Sequence, residues 1–417
     1  MSSLLAMALV SPIARGQDVW EWPESKGIGV AGSQVLSMGV WNDGSGPGLY
    51  VGGLFSQAGG IAVDGIARWS GKEWSALPGS GAMPVEAIIV FDDGQGAALF
   101  AGGSTVARWN GAMWAPVGGG ATCCVHAFAV WNDGTGDALF VGGADEAGGK
   151  PVNGLAKWDG KTWSKVGGGV DVGVSSLAVY DDGTGPSLFV GGIMVKFFSP
   201  TDYWHVAKWD GRAWAPLGSG TNDRVHAMQV FDDGSGAKLF VSGDFTTAGG
   251  IASKGMARWD GKAWTNADAG LNNGDYRDFA IVGSQPKATL YACGGGSAAS
   301  WRNGFWDQLP QLPGSGTAYA GAGFDDGSGM RLHVGGASIG LPNGAKNIAR
   351  LKQVIGGGPC GDLTGDGFVN QQDLGILLGD FGCTAGIGLC PGDCDGDGDT
   401  DQADLGILLA NWEKPCP

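Results

Sequence analysis

Short hydrophobic strands, each closed by an acidic turn carrying glycine, recur along most of the chain. The turns read WNDGSG at 41–46, FDDGQG at 91–96, WNDGTG at 131–136, YDDGTG at 180–185, FDDGSG at 231–236 and FDDGSG at 324–329. A second hydrophobic run begins eight residues after each of these starts: LYVGG at 49, LFAGG at 99, LFVGG at 139 and 188, LFVSG at 239, and LHVGG at 332. A further second run, LYACG at 290, implies an eroded first strand near residues 277–282 and brings the copies to seven.

Two more strands follow in six copies as a tryptophan hairpin: ARWSGKEW (67–74), ARWNGAMW (107–114), AKWDGKTW (156–163), AKWDGRAW (207–214), ARWDGKAW (257–264) and ASWRNGFW (299–306). Gly between two aromatic segments is a tight-hairpin signal, because it supplies the positive φ that a primed turn needs. Four short strands in about 47 residues make one β-propeller blade. A solenoid would share the period, so the chain ends decide. The last copy stops after IARL (348–351) without a fourth strand, while DVWEWPESKGIGV (18–30) stands before the first copy with the Trp and glycines of one. An N-terminal strand completing the last blade closes a ring and removes its free edges. The expected fold is therefore all-β: a seven-bladed β-propeller over residues 18–355, closed by an N-terminal strand, plus a small α-helical domain at the C-terminus.

The glycine doublet after each second strand and the aromatic hairpin beyond it resemble kelch repeats over most of residues 40–351. That resemblance implies the propeller fold and leaves function open, since kelch-like rings host both binding proteins and oxidases. The twelve hairpin tryptophans are expected to wedge neighbouring blades together. Each would bury ~150–250 Å², worth at most ~4–6 kcal/mol at ~25 cal/mol per Å².

Candidate chemistry in the repeats is sparse. Five residues before each first-strand aromatic lie Leu36, Glu86, His126, Ser175, His226, Arg277 and Tyr319, one per copy. Innermost propeller strands line a channel, so Glu86 with His126 or His226 is the one acid–base candidate there. The alternative is a solvated slot that tolerates any residue. A G-x-S-x-G pattern at 336–340 lacks the strand-to-helix context of a nucleophile elbow. The acidic turns supply adjacent carboxylates without the alternating ligands of a calcium loop, so they read as hairpin turns.

Glycine fills 82 of 417 positions without a Gly-X-Y period, which excludes collagen, and eighteen tryptophans exclude a disordered chain. No apolar run is long enough for a transmembrane segment. Residues 1–17 have a short apolar stretch, Leu4–Val10, and small residues Ala14 and Gly16 before Gln17, the pattern of a signal peptide and hence of secretion.

The net charge of −16 is uneven: from Pro359 onward ten Asp and one Glu face one Lys, leaving −6 for the rest. Such a tail repels nucleic acid and suggests a cation site. After IGGGP, a linker at 356–359, the tail repeats itself as GDLTGDGFVNQQDLGILLGDFG (361–382) and GDCDGDGDTDQADLGILLANW (392–412). Both halves fit a twelve-residue Ca²⁺ loop with ligands at alternate positions and Gly at the sharp turn. The first set is Asp362, Thr364, Asp366, the Phe368 carbonyl, Asn370 and Asp373. The second is Asp393, Asp395, Asp397, the Asp399 carbonyl, Asp401 and Asp404. Crowded carboxylates repel without a cation, so binding two Ca²⁺ ions should be coupled to folding.

Each loop runs into LGILL with no helix pattern before it, and the duplicated loop–helix unit over 360–417 resembles a type I dockerin. The resemblance implies two calcium sites and helices that dock onto a cohesin of another secreted protein, often in polysaccharide-degrading assemblies. Five of the eight cysteines (Cys360, Cys383, Cys390, Cys394, Cys416) lie in this tail and favour disulfides in an oxidising compartment. Cys123 and Cys124 could bridge each other, or one could pair with Cys293. The expected function is a secreted, non-catalytic binding or scaffold protein. It would be attached through the calcium module to a cohesin-like partner or the cell surface, with a glycan as a candidate ligand of the propeller. The alternative is a glycan hydrolase or lyase working in the channel.

Overall fold

The computed structural model describes residues 19–22, 27–28, 33–79, 84–170, 173–196, 203–271, 275–285, 288–302, 304–352, 369, 371–383 and 400–412. The expected signal peptide, the linker and most of both acidic loops lie outside them. The chain divides into two compact units, Trp20–Arg350 and a second made of Met1–Val19 with Leu351–Pro417. No described helix is long and apolar enough to cross a membrane.

The larger unit is β-rich and propeller-like. Among the described residues it has seven four-stranded sheets and a few short accessory hairpins. Numbered by their first strands, sheets 1–7 begin with Gln34–Asn42, Ala87–Asp92, Ala127–Asn132, Val174–Asp181, Val225–Asp232, Tyr276–Val282 and Gly314–Asp325. The eroded first strand is thus the one over Tyr276–Val282. Sheets 1–6 take their strands in chain order. Sheet 7 adds Met330–Gly340 and Lys346–Lys352, and its fourth strand is Val19–Glu21 from the far end of the chain. Polar contacts fasten this junction. Asn343 Nδ2 donates to the Trp22 carbonyl at 2.7 Å, Asn347 Nδ2 to the Ile28 carbonyl at 3.0 Å, and Arg350 to Glu21 Oε1 at 2.7 Å. First strands touch in cyclic order, sheet 1 against sheet 2 and onward until sheet 7 meets sheet 1.

The hairpin tryptophans explain how neighbouring sheets adhere. In all six hairpins the two stand directly opposite, as in Trp69↔Trp74 and Trp259↔Trp264. Their ring centroids are 5.1–5.6 Å apart. In sheets 2–6 the second indole also reaches backward across the sheet boundary, whereas Trp74 Nε1 of sheet 1 makes no such bond among the described residues. Trp163 Nε1 donates to the Val117 carbonyl at 2.9 Å, Trp214 to Gly167 at 2.9 Å, Trp264 to Leu217 at 2.7 Å and Trp306 to Ala267 at 2.7 Å. Trp20 does the same for sheet 7, donating to Pro310 at 2.8 Å. A buried N–H must find an acceptor or lose its hydration uncompensated, so one side chain supplies both apolar area and a directional link.

Candidate functional site

Antiparallel pairing gives every sheet two ends. At one end lie the acidic turns between first and second strands, together with the tryptophan hairpin turns. The first acidic-turn residue caps two glycine amides: Asp92 Oδ1 accepts from Gly94 at 2.9 Å and Gly96 at 3.0 Å, and Asp181 and Asp232 repeat the pattern. The second carboxylate takes a cation from the third strand of its own sheet. Asp93 meets Arg108 at 3.3 Å, Asp133 meets Lys157 at 2.6 Å, Asp182 meets Lys208 at 2.5 Å and Asp233 meets Arg258 at 3.2 Å. Asp326 meets Arg350, which also holds Glu21. Burial alone would raise the Asp133 and Asp182 pKa values, but hydrogen bonds from Lys157 with Thr135 and from Lys208 with Thr184 outweigh it and lower both. These carboxylates serve the turns, as expected.

At the opposite end lie the second-to-third connections and the links between sheets, and here the repeats diverge. Sheets 1, 3 and 5 carry accessory hairpins, at Gln57–Ala58 with Ile61–Ala62, Glu146–Ala147 with Lys150–Pro151, and Thr247–Ala248 with Ile251–Ala252. Each is bridged to an incoming link through Ile28↔Ala58, Ala121↔Ala147 or Thr221↔Ala248.

The seven slot residues stand at this divergent end. Glu86 and His126, from neighbouring sheets, are in direct contact through Oε2 and Nδ1, their side chains 25% and 40% exposed. His226 does not join them. Its Nε2 lies 2.9 Å from Asp244 Oδ1, and burial holds its pKa below the ordinary value despite that carboxylate. Arg277 pairs with Asp275 at 3.0 Å and lies over the Tyr319 ring at 5.8 Å. Asp244 and Asp275 were not singled out from the sequence, although each flanks a strand end where the slot begins.

Close by, Cys123 and Cys124 form a vicinal disulfide, while Cys293 is free and buried. Beside Cys293 the Asp278 carboxyl is pushed up to about 7 by burial, although the Gly321 amide donates to Oδ2 at 2.9 Å. Ser338 of the G-x-S-x-G pattern has φ +56°, but it lies within the Met330–Gly340 strand and another strand follows, so no nucleophile elbow forms.

In the smaller unit, α1 (Gln371–Asp380) and α2 (Gln402–Ala410) carry the two LGILL runs and pack through buried Val369, Leu377 and Leu408. Of the twelve expected calcium ligands, Asp373, Asp401 and Asp404 are described. Asp362, Thr364, Asp366, Phe368, Asn370, Asp393, Asp395, Asp397 and Asp399 lie outside the described residues. Asp373 and Asp404 occupy matching places in the first turn of each helix and both are fully buried. Asp401 caps α2: its Oδ1 accepts from the Ala403 amide at 2.6 Å, and its own amide donates to Asp404 Oδ2 at 2.7 Å. Thr400 is buried like its counterpart Val369, with its hydroxyl donating to Asp380 at 2.8 Å.

No family model matches the chain, and no curated protein does. Among solved structures the chain is similar to the extracellular domain of BT4673 from B. thetaiotaomicron. The TM-score is 0.50 and the identity 10%, over 79% of this chain and 39% of that one, so the chain spans about two fifths of that domain. U3-55K aligns with a TM-score of 0.49 and 14% identity, over 78% of this chain and 96% of that one, and adds nothing to the argument. The first likeness bears on the β-rich, propeller-like fold alone.

Proposed function

We propose that this is a secreted, non-catalytic binding or scaffold protein. Its larger unit is a closed, seven-bladed, kelch-like propeller that receives a ligand, such as a glycan, at the divergent end. Its smaller unit is a dockerin-like module that holds two Ca²⁺ ions and attaches to a cohesin-like partner or a cell-surface component.

The observation that carries the calcium half is the burial of Asp373 and Asp404 at equivalent places in duplicated helices. A carboxylate without solvent is tolerated as an anion only beside a cation or a full set of donors. The hard oxygens of both acidic loops are the donor set that Ca²⁺ takes. The ion's contribution there is structural: it neutralises crowded charge and couples loop order to helix packing. The capping box does not compete for these sites, since it accounts for one oxygen each of Asp401 and Asp404.

The test uses the full chain and a Asp373→Ala, Asp404→Ala double variant. Calorimetric titration should give two Ca²⁺ sites in the first and none in the second. The wild-type chain, immobilised on native secreted and cell-wall extracts, should retain a partner that a chelator releases. Absence of Ca²⁺ binding would end the dockerin-like reading. Ca²⁺ binding without chelator-sensitive capture would leave the module a stabilising cap and remove the cohesin-like partner.

A second reading, a glycan hydrolase or lyase, is favoured by the direct Glu86–His126 contact. A carboxylate that orients an imidazole is half of an acid–base apparatus. Glycan cleavage by the wild-type chain that Glu86→Gln abolishes would replace the non-catalytic reading.

A further inference from the structure

The links entering sheets 3 and 5 are sister segments, and they hold the same turn by different means. GATCCVH (120–126) aligns with GTNDRVH (220–226), each ending in the slot histidine. In the second, hydrogen bonds do the work. Thr221 Oγ1 donates to the Asp223 carbonyl at 3.0 Å, and the Asn222 side chain accepts from the Thr246 and Thr247 amides at 2.8 Å each. In the first, these positions are Ala121 and Thr122, which pair through their backbone with Ala147 and Glu146, and the Cys123–Cys124 disulfide stands where Asp223 and Arg224 stand in the sister link.

We propose that Cys123–Cys124 is a reversible thiol–disulfide exchange site for dithiols, and that its state governs the pairing of His126 with Glu86. Both cysteines are exposed, so a reagent can reach them. Cys123 has φ +67°, a left-handed conformation that residues other than glycine rarely adopt. Downstream the backbone is clamped. The Val125 amide donates to the Gly103 carbonyl at 2.8 Å and the His126 amide to Gly142 at 3.1 Å. The Cys124 carbonyl lies only 2.0 Å from where a Cβ on Gly143 would be. The eight-membered disulfide ring therefore fixes the two residues between the strand pairing that ends at Thr122 and the clamp that begins at Val125, immediately ahead of His126.

The chemistry balances without further reactants. A dithiol thiolate attacks one cysteine sulfur, the Cys123–Cys124 bond breaks, and the departing sulfur leaves as a thiolate and takes a proton. The second thiol of the reagent then attacks the mixed disulfide, closing to a cyclic disulfide and releasing the second cysteine thiol. The protein gains two electrons and two protons. Cys123 then relaxes from its left-handed conformation, and the two-residue turn ahead of His126 loses its covalent constraint while the pairing on either side remains.

The experiment treats the full native chain with graded dithiothreitol. Differential alkylation with peptide mass spectrometry reports Cys123 and Cys124 separately from Cys383, which is also disulfide-bonded. Long-range ¹H–¹⁵N spectra follow the His126 ring, with His226 as the internal control. The expected result is reduction of the pair below the denaturation threshold, a shift of the His126 ring signals with His226 unmoved, and recovery on reoxidation. A folded Cys123→Ser, Cys124→Ser variant should show the shifted signals without reductant and no further change with it. Resistance of the pair until the chain unfolds would overturn the proposal, and so would reduction that leaves His126 unchanged. The wild-type measurement stands alone if the variant does not fold.

Discussion

The two ends of the sheets obey different rules. At the acidic-turn end, sheet after sheet repeats one solution: a first residue that caps glycine amides and a second carboxylate that holds a third-strand cation. At the other end the sheets share a backbone pattern but little side-chain chemistry. Glu86, His126, His226 and Arg277 each meet a different partner. Repetition marks what six of the seven sheets use to stand, sheet 6 with GSQPKA at 283–288 being the exception, whereas divergence at fixed register marks positions freed from that need. The uniform end should therefore hold stability and the divergent end function.

The sharpest way to break that comparison is at the seam. Asp326 and Arg350 are the same turn-and-cation pair as in other sheets, but Arg350 also binds Glu21 of the strand that completes sheet 7. Asp326 is almost wholly buried, and burial would raise its pKa. The contacts from His333, Ser328 and Arg350 more than reverse that, and hold it well below the usual carboxylate range. Asp326→Ala leaves a mostly buried guanidinium without this partner and should cost about 3–5 kcal/mol in chemical denaturation of the full chain. Asp43→Ala in sheet 1, where Arg68 is 3.8 Å away and the Tyr50 hydroxyl donates to Oδ2 at 2.9 Å, should cost less, about 1–2 kcal/mol. Equal losses would mean that the seam is held by nothing special.

The next largest effect lies between sheets. Ser37 donates to the Val85 carbonyl in the link to sheet 2, and Ser176 accepts from the Met228 amide of sheet 5. The corresponding pin between sheets 6 and 7 is Asp278, accepting from Gly321. Its pKa is raised in the folded state to about 7 from an ordinary 3.8, so between these values the native chain holds a proton that the unfolded chain has released. The stability this confers is full at low pH and falls as pH rises between those two values, by up to about 4 kcal/mol. Asp278→Ser, which restores the residue of the sister pins, should flatten that decline. An unaltered pH profile would place the carboxylate in contact with solvent.

How much of this was legible follows from where the information resides. The four-strand period, the Trp69↔Trp74 type of pairing and the spare strand ahead of the first repeat were readable, because turn glycines and aromatic spacing are local and repeated. The backward reach of Trp264 to Leu217 was not, since it depends on how one sheet sits on the next. The slot was readable as a register, and Glu86 with either His126 or His226 was as far as the register alone could go. His226 turned to Asp244, a residue with no repeat position of its own to draw attention. The vicinal disulfide was one of two open pairings, because adjacency in sequence makes that bond available without making it necessary. In the smaller unit the matched Asp373 and Asp404 were fixed by spacing. The hydroxyl of Thr400 reaching Asp380 was not, for it joins one half of the duplication to the other.

The smallest expected change in stability carries the most weight for function. Glu86 and His126 are each partly solvated, and an exposed pair of this kind contributes little to folding. Glu86→Gln keeps the shape and removes the charge, so the unfolding free energy should move by less than about 0.5 kcal/mol. Any ligand held at the divergent end should nonetheless be weakened, because the carboxylate would no longer orient the His126 ring or accept from a bound hydroxyl. Paired denaturation and ligand-binding measurements on this one variant separate the roles. Lost binding at unchanged stability confirms the division between the ends. A loss of stability as large as at Asp326 would show that the divergent end is structural as well.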